Sequence, residues 1–134
     1  MIYYMDASAA AKLLVEEPET PALKLFLTEL GEDVTLVSSL LLETELRRMA
    51  NRASVSQSEV TSLLDGIDLL VPDRALYRDA GLLAGRQLRS LDALHVAAAL
   101  ELNADFVLTY DENQANAAMS AGLRVLSVGA PAAI

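Results

Sequence analysis

Five short apolar runs, each continuous rather than alternating, constrain the fold of this chain more than any other feature. They lie near 2–5 (Ile2-Tyr3-Tyr4-Met5), 34–38, 67–71, 105–110 and 124–128, and are rich in Val, Leu, Ile or Tyr. A strand with one wet face alternates apolar and polar residues, whereas a run that is apolar throughout suits a parallel strand buried on both faces. Helical patterns fill the gaps, near 7–17, 20–30, 39–53, 56–65, 73–88, 90–102 and 112–121. Strand–helix alternation of this kind predicts an α/β fold, a three-layer sandwich with right-handed crossovers. Pro18 and Pro21 punctuate the first two helices, and Gly31 and Gly122 stop the second and the last. The whole chain, 1–134, reads as a single domain with a frayed tail at 129–134.

Charge and composition narrow the function. A net charge of −9 argues against a protein that coats nucleic acid through bulk positive charge. The positive charges are nevertheless uneven: of ten Lys and Arg, seven are arginines between Arg47 and Arg89. For most of these a solvated helix face is the simpler reading; the alternative is a phosphate-gripping rim, with Arg47, Arg48, Arg86 and Arg89 as candidates. The absence of cysteine excludes disulfides, thiolate metal sites and cysteine nucleophiles. No run is long enough to span a bilayer and no signal peptide is visible, so a cytoplasmic protein with no membrane partner is expected. An apolar content of 53% exceeds what a core of this size needs, and implies an interface with a partner or a second copy.

Four acidic residues occupy places where acids do not sit by chance. Asp6 ends the first apolar run, and Asp111 follows Phe106-Val107-Leu108-Thr109-Tyr110. Taken alone, each reads as a helix N-cap. Both also stand at the carboxyl ends of expected parallel strands, where open α/β sheets bind ligands. Glu45 has Leu41 four residues before it and Met49 four after, which puts it on or beside the buried stripe of its helix. Glu43 is the control: with Arg47 four residues on, it reads as a solvated pair. Burying an unpaired carboxylate costs several kcal/mol, so Glu45 must reach Arg48 or hold a cation. Asp92 follows Ser90, the expected N-cap, and in a first turn it complements the helix dipole. Its neighbours at four residues, Leu88 and Val96, are both apolar, which a merely dipolar role does not require. Brought together, the four would form an all-oxygen pocket that needs a hard cation, which points to metal-dependent chemistry on phosphate esters. Ser8 and Thr109, each two residues from one of these acids, could hold a phosphate or a water. His95, the only histidine, is expected to pack or hydrogen-bond rather than act as a base.

Met5-Asp6-Ala7-Ser8, Glu45-Leu46-Arg47-Arg48, the stretch Leu91-Asp92-Ala93-Leu94-His95-Val96-Ala97-Ala98-Ala99, and Thr109-Tyr110-Asp111 with Ala117-Ala118 follow one another across nearly the whole chain. Together they resemble a PIN domain of the VapC kind found in bacterial toxin–antitoxin pairs. The resemblance implies a five-stranded parallel sheet of order 3-2-1-4-5 and an endoribonuclease dependent on Mg²⁺ or Mn²⁺. It implies metal binding by Asp6, Asp92, Asp111 and Glu45, directly or through water. It further implies an RNA substrate, a homodimer and inhibition by a cognate antitoxin.

Two rival classes make different demands on the sequence. A haloacid-dehalogenase-like phosphotransferase wants a second Asp two residues after the first, where Ser8 stands, and a receiver domain wants a late lysine, whereas the last here is Lys24. A non-catalytic, partner-binding module of the same fold is the alternative, and the intact acid set argues against it.

Overall fold

The computed structural model describes residues 1–131. Its element order is β1 (Ile2–Met5), α1 (Ala7–Ala11), α2 (Thr20–Glu29), β2 (Thr35–Ser39), α3 (Leu41–Ala53), α4 (Gln57–Asp65), β3 (Asp68–Leu70), α5 (Arg74–Gly81), α6 (Ser90–Glu101), β4 (Phe106–Leu108), α7 (Glu112–Ser120) and β5 (Val125–Leu126). All five expected strands form one sheet of order β3-β2-β1-β4-β5, and every neighbouring pair is parallel. This is the order that the resemblance implies.

The continuous apolar runs are explained by two cores, one on each face of the sheet. Tyr4, Val37 and Val107 point to one side, where they pack with α5, with α6 from Ala93 to Ala99, and with Ala118 of α7. Tyr3, Met5 and Leu108 point to the other, against Ala9 and Ala10 of α1, Leu42, Leu46 and Ala50 of α3, and Val60 and Leu64 of α4. Successive strand residues therefore feed opposite layers, which keeps β1 and β4 apolar throughout, while the buried Ser38 of β2 is satisfied by donating to the Met5 carbonyl. The face of α6 that meets the sheet is largely alanine, which lets this helix sit close to the strands.

Three expected elements differ. The helix predicted over 7–17 ends at Ala11. Beyond it the bonds tighten to the third residue back: Lys12 to Ala9, Leu13 to Ala10 and Leu14 to Ala11. The chain then turns because the Lys12 ammonium bonds Glu17 and Glu19, both at 2.9 Å, and Thr20 Oγ1 donates to the Lys12 carbonyl. The helix predicted over 73–88 stops at Gly81, and 82–88 is a loop. Gly85, at φ +121°, takes a conformation that no helix contains. Ser90 is the first residue of α6 rather than its cap; Arg89 holds the cap position with extended backbone and no side-chain cap bond. Of the segment expected to fray, Gly129 packs so closely on α2 that a Cβ there would lie 2.7 Å from Ala22 Cβ. Residues 132–134 lie outside the described residues.

Candidate active site

Asp6 and Asp111 follow β1 and β4, which lie side by side with Met5 opposite Leu108. Each acid does cap the helix after it, as local sequence suggested, but each cap uses a single oxygen. Asp6 Oδ1 accepts from Ala9 N at 3.1 Å, and Asp111 Oδ1 accepts from Asn113 N and Gln114 N at 2.8 and 3.2 Å. The second oxygen of each is left for other work.

Asp6 is 5% exposed and is held by hydroxyls. Ser8 Oγ donates to Oδ1 at 2.8 Å and Thr109 Oγ1 donates to Oδ2 at 2.6 Å. Each hydroxyl has one proton, so both are spent on Asp6, and the 3.2 Å separation of the two hydroxyl oxygens is a contact between neighbours. Their lone pairs order the strand exit: Ser8 Oγ accepts from Tyr110 N at 2.8 Å and Thr109 Oγ1 from Asp111 N at 3.1 Å. Burial pushes the Asp6 carboxyl above its ordinary range, and the bonds from Thr109, Ser8 and Ala9 only partly offset this.

Glu45 pairs with His95 and makes no hydrogen bond to Arg48 among the described residues. Its Oε1 lies 2.5 Å from His95 Nε2, while His95 Nδ1 lies 2.6 Å from the Tyr4 hydroxyl. The imidazole is 2% exposed, wedged between sheet and helix. Asp92 is half-buried, and its carboxylate has no hydrogen-bond partner among the described residues. Its carboxyl is pushed upward first by burial and then by the charge of Asp111, with Glu45 adding to the repulsion and His95 and Arg89 opposing it. Asp92, Asp111 and Glu45 thus interact across elements far apart in sequence.

They do not close into a finished cage. Among the described residues, no three His, Cys, Asp or Glu side chains stand near enough to enclose an ion as they are. The chemistry of the donor set still fits Mg²⁺ or Mn²⁺. All donors are hard oxygens, the Asp92 carboxylate is unpartnered and repelled by Asp111 and Glu45, and Mg²⁺ binds through few protein ligands while keeping several waters. A cation would relieve that repulsion.

The arginines divide. Arg47 is drawn away from the role of phosphate contact: its Nε bonds Glu43, and its terminal nitrogens bond Gln57 and Thr61, all at 3.1 Å, so it clamps α3 to α4. The Glu43–Arg47 pair is the one read from the sequence. Arg48 lines a cavity of about 490 Å³ with Ser8, Glu45, Met49, Arg52 and Leu91. Arg86 lines a cleft with Asn113 and Asn116, two residues of the helix that Asp111 caps. Arg89 is exposed and near enough to act on Asp92. Arg52 was not singled out in the sequence; its place one turn after Arg48 was the available signal.

Comparison with known proteins follows the same lines. The family model of the PIN domain matches residues 3–119. The chain is 36% identical over 132 residues to the protein named Ribonuclease VapC47 of Mycobacterium tuberculosis (strain CDC 1551 / Oshkosh), which covers 95% of this chain and 97% of that one. Its fold is similar to that of Mycobacterium tuberculosis VapC20, described as a sarcin-ricin loop cleaving toxin, with a TM-score of 0.71 at 14% identity over 86% of this chain and 94% of that one. It is also similar to a chain of VapBC-1 from nontypeable Haemophilus influenzae, with a TM-score of 0.70 at 20% identity over 94% and 97%.

Proposed function

The chain belongs to the PIN-domain family, in its VapC group, and from that premise we propose that it is a Mg²⁺- or Mn²⁺-dependent endoribonuclease, the toxin of a toxin–antitoxin pair. The observation that supports the reading is that Asp6 and Asp111 follow the adjacent strands β1 and β4, while Asp92 is unpartnered and repelled by Asp111 and Glu45. Asp6, Glu45, Asp92 and Asp111 would hold the divalent ion, directly or through water, and the ion would supply Lewis acidity and an activated water.

The chain's own residues do the rest. Ser8 and Thr109 hold Asp6 in one rotamer, so that one of its oxygens is fixed by two local donors and the other by one. Thr109 also ties the Asp111 amide to Asp6, which couples the two strand exits. Arg48 and Arg89, with Arg86 further out, supply cations for RNA phosphates that the acids would otherwise repel. RNA would enter as a single-stranded loop, whose backbone can reach a shallow mouth.

The partners follow from the same reading. A cognate antitoxin would cover the acids, in keeping with solved relatives described as VapBC and as a toxin–antitoxin complex. A second copy would cover part of the apolar surplus. No helix of the described residues is long and apolar enough to cross a membrane, and the proposed site of action is the cytoplasm.

The test is cleavage of RNA by purified protein in Mg²⁺ or Mn²⁺, with 5′-end sequencing after a short induction. New 5′-phosphate ends in the wild type, absent with chelator and in Asp92→Asn, are expected. Cleavage that survives Asp92→Asn, or no cleavage by antitoxin-free wild type, overturns the reading and favours a partner-binding module.

A further inference from the structure

The buried His95 belongs to no element of the proposed chemistry, yet it forms the middle of a polar chain that ends on one of the acids. The chain runs Ser39 N to the Tyr4 hydroxyl oxygen at 3.2 Å, Tyr4 to His95 Nδ1 at 2.6 Å, and His95 Nε2 to Glu45 Oε1 at 2.5 Å. Three of its four members are fully or nearly buried: Tyr4 and Ser39 are 0% exposed and His95 is 2%.

Polar groups sealed in this way must be matched donor to acceptor. The direction is fixed from the Glu45 end. A carboxylate offers only lone pairs, so the nitrogen facing it must carry the proton. Nε2–H faces Glu45 in either charge state of the ring; in the neutral ring Nδ1 is bare and accepts the Tyr4 proton. The tyrosine oxygen is free to accept from Ser39 N, as it does. Every link has one donor and one acceptor, and the sheet backbone anchors the far end. The ring is also held edge-on to Tyr4, at 75° between planes.

We infer that His95, backed by Tyr4, is a positioning residue for Glu45: it fixes one carboxylate oxygen from behind and leaves Oε2 as the oxygen offered to a divalent cation. The inference rests on the proposed metal-dependent reading of the site. Without it, Glu45 on α3 is a flexible side chain whose rotamers must be frozen each time an ion binds. With it, the ordering is built into the folded protein. Outer partners of this kind alter metal affinity by about 10–100-fold when removed.

Two measurements on the whole chain test this. The first needs no variant and no metal. His95 is the only histidine, so a long-range ¹⁵N–¹H spectrum of the metal-free protein reports one imidazole. A protonated Nε2 whose proton exchanges slowly with water is expected; a bare Nε2, or a ring in fast exchange, overturns the inference. The second is titration with Mn²⁺, following free ion by electron paramagnetic resonance. Affinity should fall by about 10–100-fold in His95→Leu, by less in Tyr4→Phe, and be restored to within about threefold of wild type in His95→Gln, whose amide N–H replaces that of Nε2. Tyr4→Phe is near-isosteric and keeps the inference testable where His95→Leu fails to fold. If wild type binds Mn²⁺, Asp92→Asn abolishes binding, and both His95→Leu and Tyr4→Phe bind as wild type, the inference falls and the function stands. If wild type binds no Mn²⁺, both fall.

Discussion

Replacing Thr109 by Val is a sharp test of how the site is held, because it changes one hydroxyl to a methyl at a position that is 0% exposed. The volumes match, so there is no cavity to confuse the result. Two bonds are lost: the 2.6 Å donation to Asp6 Oδ2, and acceptance from Asp111 N at 3.1 Å. A bond to a charged group contributes about 1.5–3 kcal/mol, whereas the amide of exposed Asp111 can turn to water at little cost. The expected loss in metal-free protein at neutral pH is therefore about 2–3 kcal/mol, or on the order of 10 °C in Tm for a domain of this size. The loss should also depend on pH. Asp6 has a native pKa above its unfolded value, so its contribution favours the fold fully below the unfolded pKa of about 3.9 and is lost as pH rises through the native pKa. Thr109 is the largest influence holding that native pKa down. Without it the pKa rises further, so the gap between variant and wild type should be small in acid and widen toward neutrality. Urea denaturation in chelator from pH 4 to pH 8 reads both curves, with Thr109→Ser as the control that keeps the hydroxyl. A gap that is constant with pH, or below about 0.5 kcal/mol at pH 7, would refute the claim that Thr109 stabilises ionised Asp6.

Four further outcomes are expected. Mn²⁺ should raise the Tm of wild type in a concentration-dependent way, reaching about 2.7 kcal/mol of stabilisation at a hundredfold excess over Kd, while Asp92→Asn shows no shift; calorimetry checks this. Arg47→Ala should cost about 0.5–1 kcal/mol by loosening α3 from α4, yet leave RNA cleavage within twofold of wild type, because its guanidinium is committed to Glu43, Gln57 and Thr61. Gly129→Ala should destabilise by about 1–3 kcal/mol, since φ is +78° and the new Cβ would lie 2.7 Å from Ala22 Cβ. In contrast, Gly81→Ala, whose Cβ meets nothing within 4 Å at the end of α5, should be neutral or stabilising in the same denaturation assay.

The parts of the fold that were legible are those where one residue type has one use. Continuous apolar runs have no place except between two layers, and all five became parallel strands. The misjudged ends have tertiary causes. Lys12 leaves α1 for Glu17 and Glu19, partners that lie beyond the end of its own helix. Leu82, Leu83 and Leu88 continue an apolar helical period past Gly81, but Gly85 needs a backbone that a helix cannot supply. Within the site, the contrast between Glu43 and Glu45 was readable because both environments lie within one turn. The partner of Glu45 was not, because His95 is 50 residues away and Tyr4 is 91 residues from His95. The available hint was spacing: His95 is three residues after Asp92, and so on the same side of α6.

At Asp6 and Asp111 a helix cap and the proposed metal ligand are compatible roles. A cap needs one carboxylate oxygen, and these caps use Oδ1 only. The same amides that satisfy the helix start also fix the carboxylate's orientation, so the cap is what makes the second oxygen's position reproducible. Asp92, in a first turn with no cap bond to make, lacks that support, and there the unrelieved charge accumulates. The arrangement predicts an order of rigidity: Asp6 and Asp111 set in the metal-free protein, Glu45 held by its histidine, and Asp92 alone reorienting on ion binding. Side-chain carboxyl relaxation measured with and without Mg²⁺ should show the largest change at Asp92, and an equal change at Asp6 would contradict the account of the caps.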